Sequence, residues 1–566
     1  MENINNPSVV INSIKFNNGK EINFKSDDIV LLVGANNVGK SRTLKDLRAI
    51  LLDSGESTVL VDKVGFQVEN FSGDVIGDYF ERNLSRDVHG NYTVMITDDH
   101  QYCYNKQEID NVSNNKRNFY KVFFSYLSTE NRLNITKPIR LNYSIDRNCF
   151  NILKKLESSS EAINSLNAVL ESSFEKAIDV YESYEEAHVV KGYKIAESQI
   201  INEIINLNTR DSKSRLKELE ELYGQGDGIR SAVAILASLI VNEHSLFLID
   251  EPETFLHPPQ AKLIGKNIVE LSKNKQCFIA THNIDFIKGI VEADSSRVKI
   301  LKIDRTGNIN AFNLVNNESI VEIANDKNLK YTNILDGLFY NRLVICENES
   351  DCKFYAAILE SLDLQKYQNT LFCAVGGKDQ FKKVIPLLKE LSIQYLIIAD
   401  IDLINNRGNV KQLLDSIEVN SYDAIKEKHD KFLIDFEENT NNQVKTQETI
   451  KKEINDLFTQ EKYMSPESAD KIKQLLKNIS CLKLLKTGGK NILPQGDCVS
   501  LFNDIKNYLN DRNVFILDCG EIERFVPDVG GHGNDWLEKV FEKYDDINDA
   551  SYNEAKNFIK TVFNIK

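Results

Sequence analysis

Eight consecutive residues constrain this chain more than any others. Gly34-Ala35-Asn36-Asn37-Val38-Gly39-Lys40-Ser41 fits GxxxxGK[ST], directly after the apolar run Ile29 to Val33 and directly before a helical pattern. A strand, a loop with glycine at both ends and a helix put backbone N–H groups and the helix N-terminus around phosphate oxygens. In such a cradle Gly34, Asn36, Asn37 and Gly39 shape the loop, Lys40 meets the β- and γ-phosphates of ATP, and the Ser41 hydroxyl ligates Mg²⁺. A second apolar run, Leu246 to Ile249, ends in Asp250-Glu251-Pro252-Glu253. Core packing does not explain acids delivered by a strand, whereas a magnesium nucleotide does: Asp250 is expected to hold the ion through water and Glu251 to act as the base that orients the attacking water. His282, after the run Cys277 to Thr281, is expected to sense the γ-phosphate.

The rest of the chain must hold more than this unit, because 566 residues exceed what one hydrophobic core supports. Its longest apolar run, Ala232 to Val241, is half of a bilayer span, and the start MENINNPSVV lacks a basic segment followed by an apolar one. A cytoplasmic protein without membrane contact is the expectation. Nine cysteines without a CxxC pair fit reduced thiols better than a disulfide framework or a zinc site. The net charge of −15 excludes coating of nucleic acid by bulk electrostatics, so a nucleic-acid partner needs local lysines or bridging metal ions.

Apolar strands followed by acids recur in the second half. Leu343 to Cys346 ends at Glu347, and Leu396 to Ala399 ends at Asp400 and Asp402. If these strands lie parallel in one sheet, their C-terminal ends bring three carboxylates together, and such a cluster repels itself unless divalent cations neutralise it. A third stretch, Phe515 to Glu523, places Glu521 and Glu523 after apolar residues. The predicted class is α/β. One α/β unit spans 1–141 and 223–330 around an insertion at 142–222 that reads as helical from Ile152. A second spans 335–566 with a charged helical insertion at about 411–480.

The first unit resembles the ATP-binding-cassette class of P-loop ATPases that includes SMC and RecF proteins. The resemblance rests on the run DEPETFLHP, on Thr281-His282-Asn283, and on Tyr223 to Arg230 standing where that class has its signature loop, although Gln225 and Asp227 depart from the transporter pattern. It implies a homodimer or higher even oligomer with composite ATP sites, and 142–222 as a dimerisation arm. The second unit resembles Toprim domains. Glu347-Asn348-Glu349-Ser350-Asp351 matches their EGxSD-like box, Gly376-Gly377 their glycine pair, and Asp400-Ile401-Asp402 their DxD. Asn348 replaces the usual glycine, which its tolerance of positive φ permits, and Ser350 is the expected N-cap of the following helix.

Toprim nucleases imply two Mg²⁺ or Mn²⁺ ions on Glu347, Asp351, Asp400, Asp402, Glu521 and Glu523. They also imply a helper lysine, for which Lys539, Lys543, Lys556 and Lys560 are candidates. Gly530-Gly531-His532-Gly533 reads as a turn, with a phosphate-contacting loop as the alternative. Both units in this order resemble the overcoming-lysogenization-defect (OLD) family of endonucleases, which includes the nuclease subunit of Gabija antiphage systems and OLD-type retron effectors. The resemblance implies an ATP-regulated, metal-dependent DNA endonuclease in antiphage defence, with a partner protein or a retron-type RNA–DNA molecule as a further partner. Two alternatives remain: an ATPase sensor or scaffold with gated cleavage, and a Toprim topoisomerase or primase.

Overall fold

The computed structural model describes residues 6–565, apart from 88, 98–99, 143–151, 186–187, 208–209, 330, 441–445, 459–463 and 478–480. It divides into two compact units, Met1–Val321 and Glu322–Lys566. In the first, the strand Ile29–Val33 is apolar and wholly buried, as a central parallel strand covered on both faces must be. It lies between Val298–Thr306 and Gln276–Ala280, which leads on to Leu246–Asp250 and Phe124–Leu127. All these pairs are parallel, and only the edge strand Ile309–Val315 runs antiparallel. The C-terminal ends of Ile29–Val33 and Leu246–Asp250 therefore carry the phosphate loop and Asp250 to the same edge. A second sheet, Glu21–Asn23, Ser8–Phe16 and Val61–Glu69, is antiparallel and shares a core with the P-loop helix Lys40–Leu52.

The helical reading of 142–222 needs correction. The helices Ile152–Glu157, Ser160–Phe174, Ser198–Leu207 and Arg210–Glu218 do form. Between them Lys176–Glu185 and His188–Glu197 pair as a long antiparallel hairpin. Glu175, at φ 57°, ends the preceding helix in the left-handed region and turns the chain into the first strand. Ala177, Ile178 and Tyr181 are buried at a spacing that a helix also satisfies, so periodicity alone does not separate the two. The β-branched and aromatic residues Val180, Tyr181, Val189, Val190, Tyr193 and Ile195 decide it. Gly192 is part of the fit, since a Cβ there would stand 2.7 Å from the Tyr181 ring. The first residues of the predicted arm, 143–151, lie outside the described residues.

The second unit is built on a parallel sheet in the order Thr370–Ala374, Arg342–Cys346, Tyr395–Ala399, Val514–Ile516. One face packs on a core in which Phe354, Tyr355, Trp536 and Tyr552 are almost fully buried. The charged segment at 411–480 is mostly helical where described, in Arg407–Ile417, Lys426–Thr440, Gln447–Asp456 and Pro466–Lys477, while 441–445, 459–463 and 478–480 lie outside the described residues. It continues into the helix Cys481–Gly488 and returns the chain to the sheet.

Candidate active site

The phosphate loop has the backbone its sequence requires. Gly34 (φ 144°) and Gly39 (φ 108°) adopt conformations that side chains resist, and a Cβ on Gly34 would lie 2.2 Å from the Ile303 carbonyl oxygen. Asn37, at φ 64°, uses the left-handed conformation that asparagine tolerates. Asn36 lies in the same loop, exposed. Lys40 is buried, and its ammonium donates to the carbonyls of Gly34 (2.8 Å) and Ala35 (3.0 Å). Burial lowers its pKa, opposed by Glu251, Glu253 and Asp250.

Ser41 Oγ donates to Asp250 Oδ1 at 2.8 Å, so the two predicted magnesium-site groups are in contact across the sheet. Burial raises the Asp250 pKa. Glu251 sits at φ 49°, with its N–H on the Ala280 carbonyl. His282 Nδ1 lies 3.4 Å from Glu251 Oε1 and 3.5 Å from Glu253 Oε1. Glu253 is itself buried, accepting from Thr281 Oγ1 (2.8 Å) and the His282 N–H (3.0 Å). One residue here carried no sequence signal. Arg132 is fully buried, and its guanidinium donates to Ser231 Oγ (2.8 Å) and to the carbonyls of Leu127, Asp250 and Glu251. It ties the acid-bearing strand to the helix Asp227–Val241, whose first turn holds Gly228 so close to the Phe255 carbonyl that a Cβ would stand at 2.5 Å.

In the second unit the parallel strands deliver their acids to one place. Glu347, Asp400 and Asp402 each offer a carboxylate oxygen, and these oxygens lie within 4.8 Å of one another. Buried Glu347 Oε1 and Asp402 Oδ1 have no hydrogen-bond partner among the described residues, a state that costs free energy unless a ligand satisfies it. Burial, with Asp400 and Asp402 adding repulsion, pushes the Glu347 carboxyl up to about 7 against the pull of Lys378 and Lys486. Burial and Asp400 push Asp351 up to about 6. Asp400 is raised by burial too, opposed chiefly by Lys486. All-oxygen donors at this spacing suit a hard dication such as Mg²⁺ or Mn²⁺.

Asp351 is not in that triad. It sits in the first turn of the helix Glu349–Leu362 and accepts the Asn348 N–H at 3.0 Å. The N-cap is therefore Asn348 rather than Ser350. Asn348 has φ −130°, so it replaces the family's glycine as a capping residue and not through positive φ. Glu521 and Glu523 group with His532 instead, with ligand atoms again within 4.8 Å. A cavity of about 390 Å³ lined by Asp351, Asp400, Lys486, Glu523 and His532 joins the two groups.

The predicted helper lysines are elsewhere. Lys539 pairs with Asp535 and Lys543 with Asp528, and neither Lys556 nor Lys560 lines this cavity. Two unpredicted lysines reach the acids: Lys378 Nζ lies 2.8 Å from Asp402 Oδ2, and Lys486 Nζ lies 2.9 Å from Asp400 Oδ2. Lys378 follows the glycine pair directly and was findable there. Lys486 comes from the helix after the insertion, where local pattern says nothing about the sheet.

Comparison with known proteins matches the two units separately. An AAA domain family, described with the AbiEii toxin of a type IV toxin–antitoxin system, matches residues 29–287. The overcoming-lysogenization-defect-protein-like TOPRIM domain matches residues 338–402. Endonuclease GajA of Bacillus cereus (strain VD045) is 26% identical over 165 residues, covering 29% of this chain and 27% of that protein. The Old nuclease of Escherichia phage P2 is 24% identical over 172 residues, covering 29% and 28%. The matched part of the chain thus spans little more than a quarter of either relative. Among solved structures, an SMC head bound to the C-terminal winged-helix domain of ScpA aligns with 54% of this chain and 98% of its own at 12% identity, with a TM-score of 0.34, too low to argue from.

Proposed function

Because the chain is an OLD-type protein that joins a P-loop ATPase to a Toprim domain, we propose that it is a DNA endonuclease that uses divalent metal and is governed by ATP. The observation that carries this reading is the convergence of Glu347, Asp400 and Asp402 from separate strand ends, with buried carboxylate oxygens left unsatisfied. Divalent cations held there would lower the pKa of water and stabilise a departing 3′-oxygen. The chain's own groups do the rest. Glu347, Asp400 and Asp402 hold the charge in place, and Lys378 and Lys486 offset surplus negative charge and attract a phosphodiester to a protein of net charge −15. At the other site Ser41 and Asp250 would hold Mg²⁺ and Lys40 the phosphates, Glu251 would orient water for ATP hydrolysis, and His282 would sense the γ-phosphate.

That both relatives carry nuclease in their names supports the substrate class. The family resemblance supports Mg²⁺ or Mn²⁺ as the metal, a homodimeric ATPase and a role in defence against phage. Supercoiled plasmid tests the reading. Purified protein with Mg²⁺ or Mn²⁺ is expected to yield nicked circles, and neither chelator-treated protein nor Asp402→Asn is expected to do so. Nicking unchanged in Asp402→Asn would overturn it.

A further inference from the structure

After the strand Val514–Ile516 the chain turns through Leu517, Asp518, Cys519 and Gly520, and backbone hydrogen bonds fasten this turn to two other segments. The Leu517 N–H donates to the Ala399 carbonyl (3.2 Å), and the Gly520 carbonyl accepts the Ile401 N–H (3.0 Å), so the turn is tied on both sides of Asp400. The Asp518 carbonyl accepts the Lys490 N–H at 2.8 Å. Two glycines let the segments approach. A Cβ on Gly520, φ 111°, would stand 2.1 Å from the Lys486 carbonyl oxygen, and one on Gly489, φ 57°, 2.4 Å from the Asp518 carbonyl oxygen. The end of the helix Cys481–Gly488, which carries Lys486, is thereby pressed onto the turn that brackets Asp400.

Behind the turn lies a cavity of about 230 Å³, lined in part by Phe515, Phe525 and Phe558, so close packing does not brace it there. Ion pairs do so instead. Asp518 Oδ1 takes the ammonium of Lys506, from the helix Asp497–Asn510, at 2.5 Å, and Oδ2 takes that of Lys490 at 2.9 Å. Burial pushes the Asp518 carboxyl up, but hydrogen bonds from Lys506 and Lys490 outweigh it and hold the group below its ordinary value.

We infer that Asp518 is a positioning residue for Lys486: its paired contacts with Lys490 and Lys506 lock the turn against the helix end, and that lock holds the Lys486 ammonium on Asp400. Keeping a long, partly exposed lysine in one geometry costs side-chain entropy, so the pair survives best where the backbone that carries it cannot shift. The inference rests on the reading of Glu347, Asp400 and Asp402 as a metal site, because an ammonium held on Asp400 is one that an incoming cation must displace.

Mn²⁺ titration of the nucleotide-free full-length protein, read as the ion that Asp402→Asn fails to bind, tests the inference. Asp518→Asn removes a negative charge near the cluster, which by Coulomb attraction alone weakens Mn²⁺ binding. The lock predicts the opposite sign. Asp518→Asn is expected to tighten Mn²⁺ binding about threefold, because Lys486 leaves Asp400 more often. Asp518→Glu, which keeps the carboxylate, is expected to restore wild-type affinity. In a Lys486→Ala background the tightening is expected to vanish, since no ammonium remains to be positioned. Gly520→Ala, a neutral change at the interlock, is expected to shift Mn²⁺ binding in the same direction as Asp518→Asn. Weaker or unchanged Mn²⁺ binding in Asp518→Asn, or tightening that persists without Lys486, overturns the role of Asp518 and leaves the metal site standing. Wild-type protein that binds no Mn²⁺ overturns both.

Discussion

Lys486 closes on Asp400 with Nζ 2.9 Å from Oδ2, joining the helix Cys481–Gly488, which follows the charged insertion, to the carboxylate that ends a central strand. An ammonium in that position would compete with a metal ion for the same oxygen and would attract a phosphate to the proposed site.

Removing that ammonium is expected to act in opposite directions on two observables. In Lys486→Ala, Mn²⁺ binding tightens because a competing cation is gone, while nicking slows by about tenfold or more because a group aimed at developing negative charge is lost. Titration and plasmid nicking on the same preparation check the pair. Weaker metal binding in the variant would contradict this account of Lys486.

The carboxyl cluster makes stability depend on pH. Burial holds the folded Glu347 carboxyl at about 7, above its ordinary 4.5, and Asp351 at about 6, above 3.8. Between those values the folded chain binds more protons than the unfolded chain, so stability falls as pH rises through the window and levels off above it. Without divalent metal, the melting midpoint is expected to drop between about pH 5 and pH 7.5, and Glu347→Gln to flatten the drop. A midpoint that rises over the same range in the metal-free protein would show that the acids are not held as described.

Arg132 is expected to matter for folding although it touches no substrate. Arg132→Met leaves the carbonyls of Leu127, Asp250 and Glu251 without their donor in a buried place. A cost on the order of 3 kcal/mol is expected, seen as a lower melting midpoint with ATP binding weakened as a consequence. An unchanged midpoint would mean that water satisfies those carbonyls.

The nucleotide site separates binding from turnover. Lys40→Ala is expected to abolish ATP binding, and Glu251→Gln to bind ATP while hydrolysing it about a hundredfold more slowly. Fluorescent-nucleotide binding and phosphate release distinguish them, and hydrolysis at the wild-type rate in both variants would remove the roles assigned here.

Much of this architecture was legible because parallel strands buried on both faces read as unbroken apolar runs. Ile29–Val33, Leu246–Asp250 and Tyr395–Ala399 could be read directly, and the acids at their ends followed. What was not legible depends on contacts distant in sequence. The hairpin from Lys176 to Glu197 hides behind a spacing that suits helix and strand alike. Lys486 reaches Asp400 only because the helix after the insertion returns to the sheet, and Arg132 is committed by partners on three separate segments. Ser350 failed as a cap because Asn348, two residues earlier, already fills that place with Asp351 as its reciprocal acceptor.

The most direct measurement is single-turnover cleavage of supercoiled plasmid by Glu347→Gln with saturating Mn²⁺, alongside its ATP hydrolysis. Cleavage at least about a hundredfold slower than wild type, with hydrolysis retained, is the predicted result. Cleavage at the wild-type rate would contradict the account, whatever the ATPase unit does.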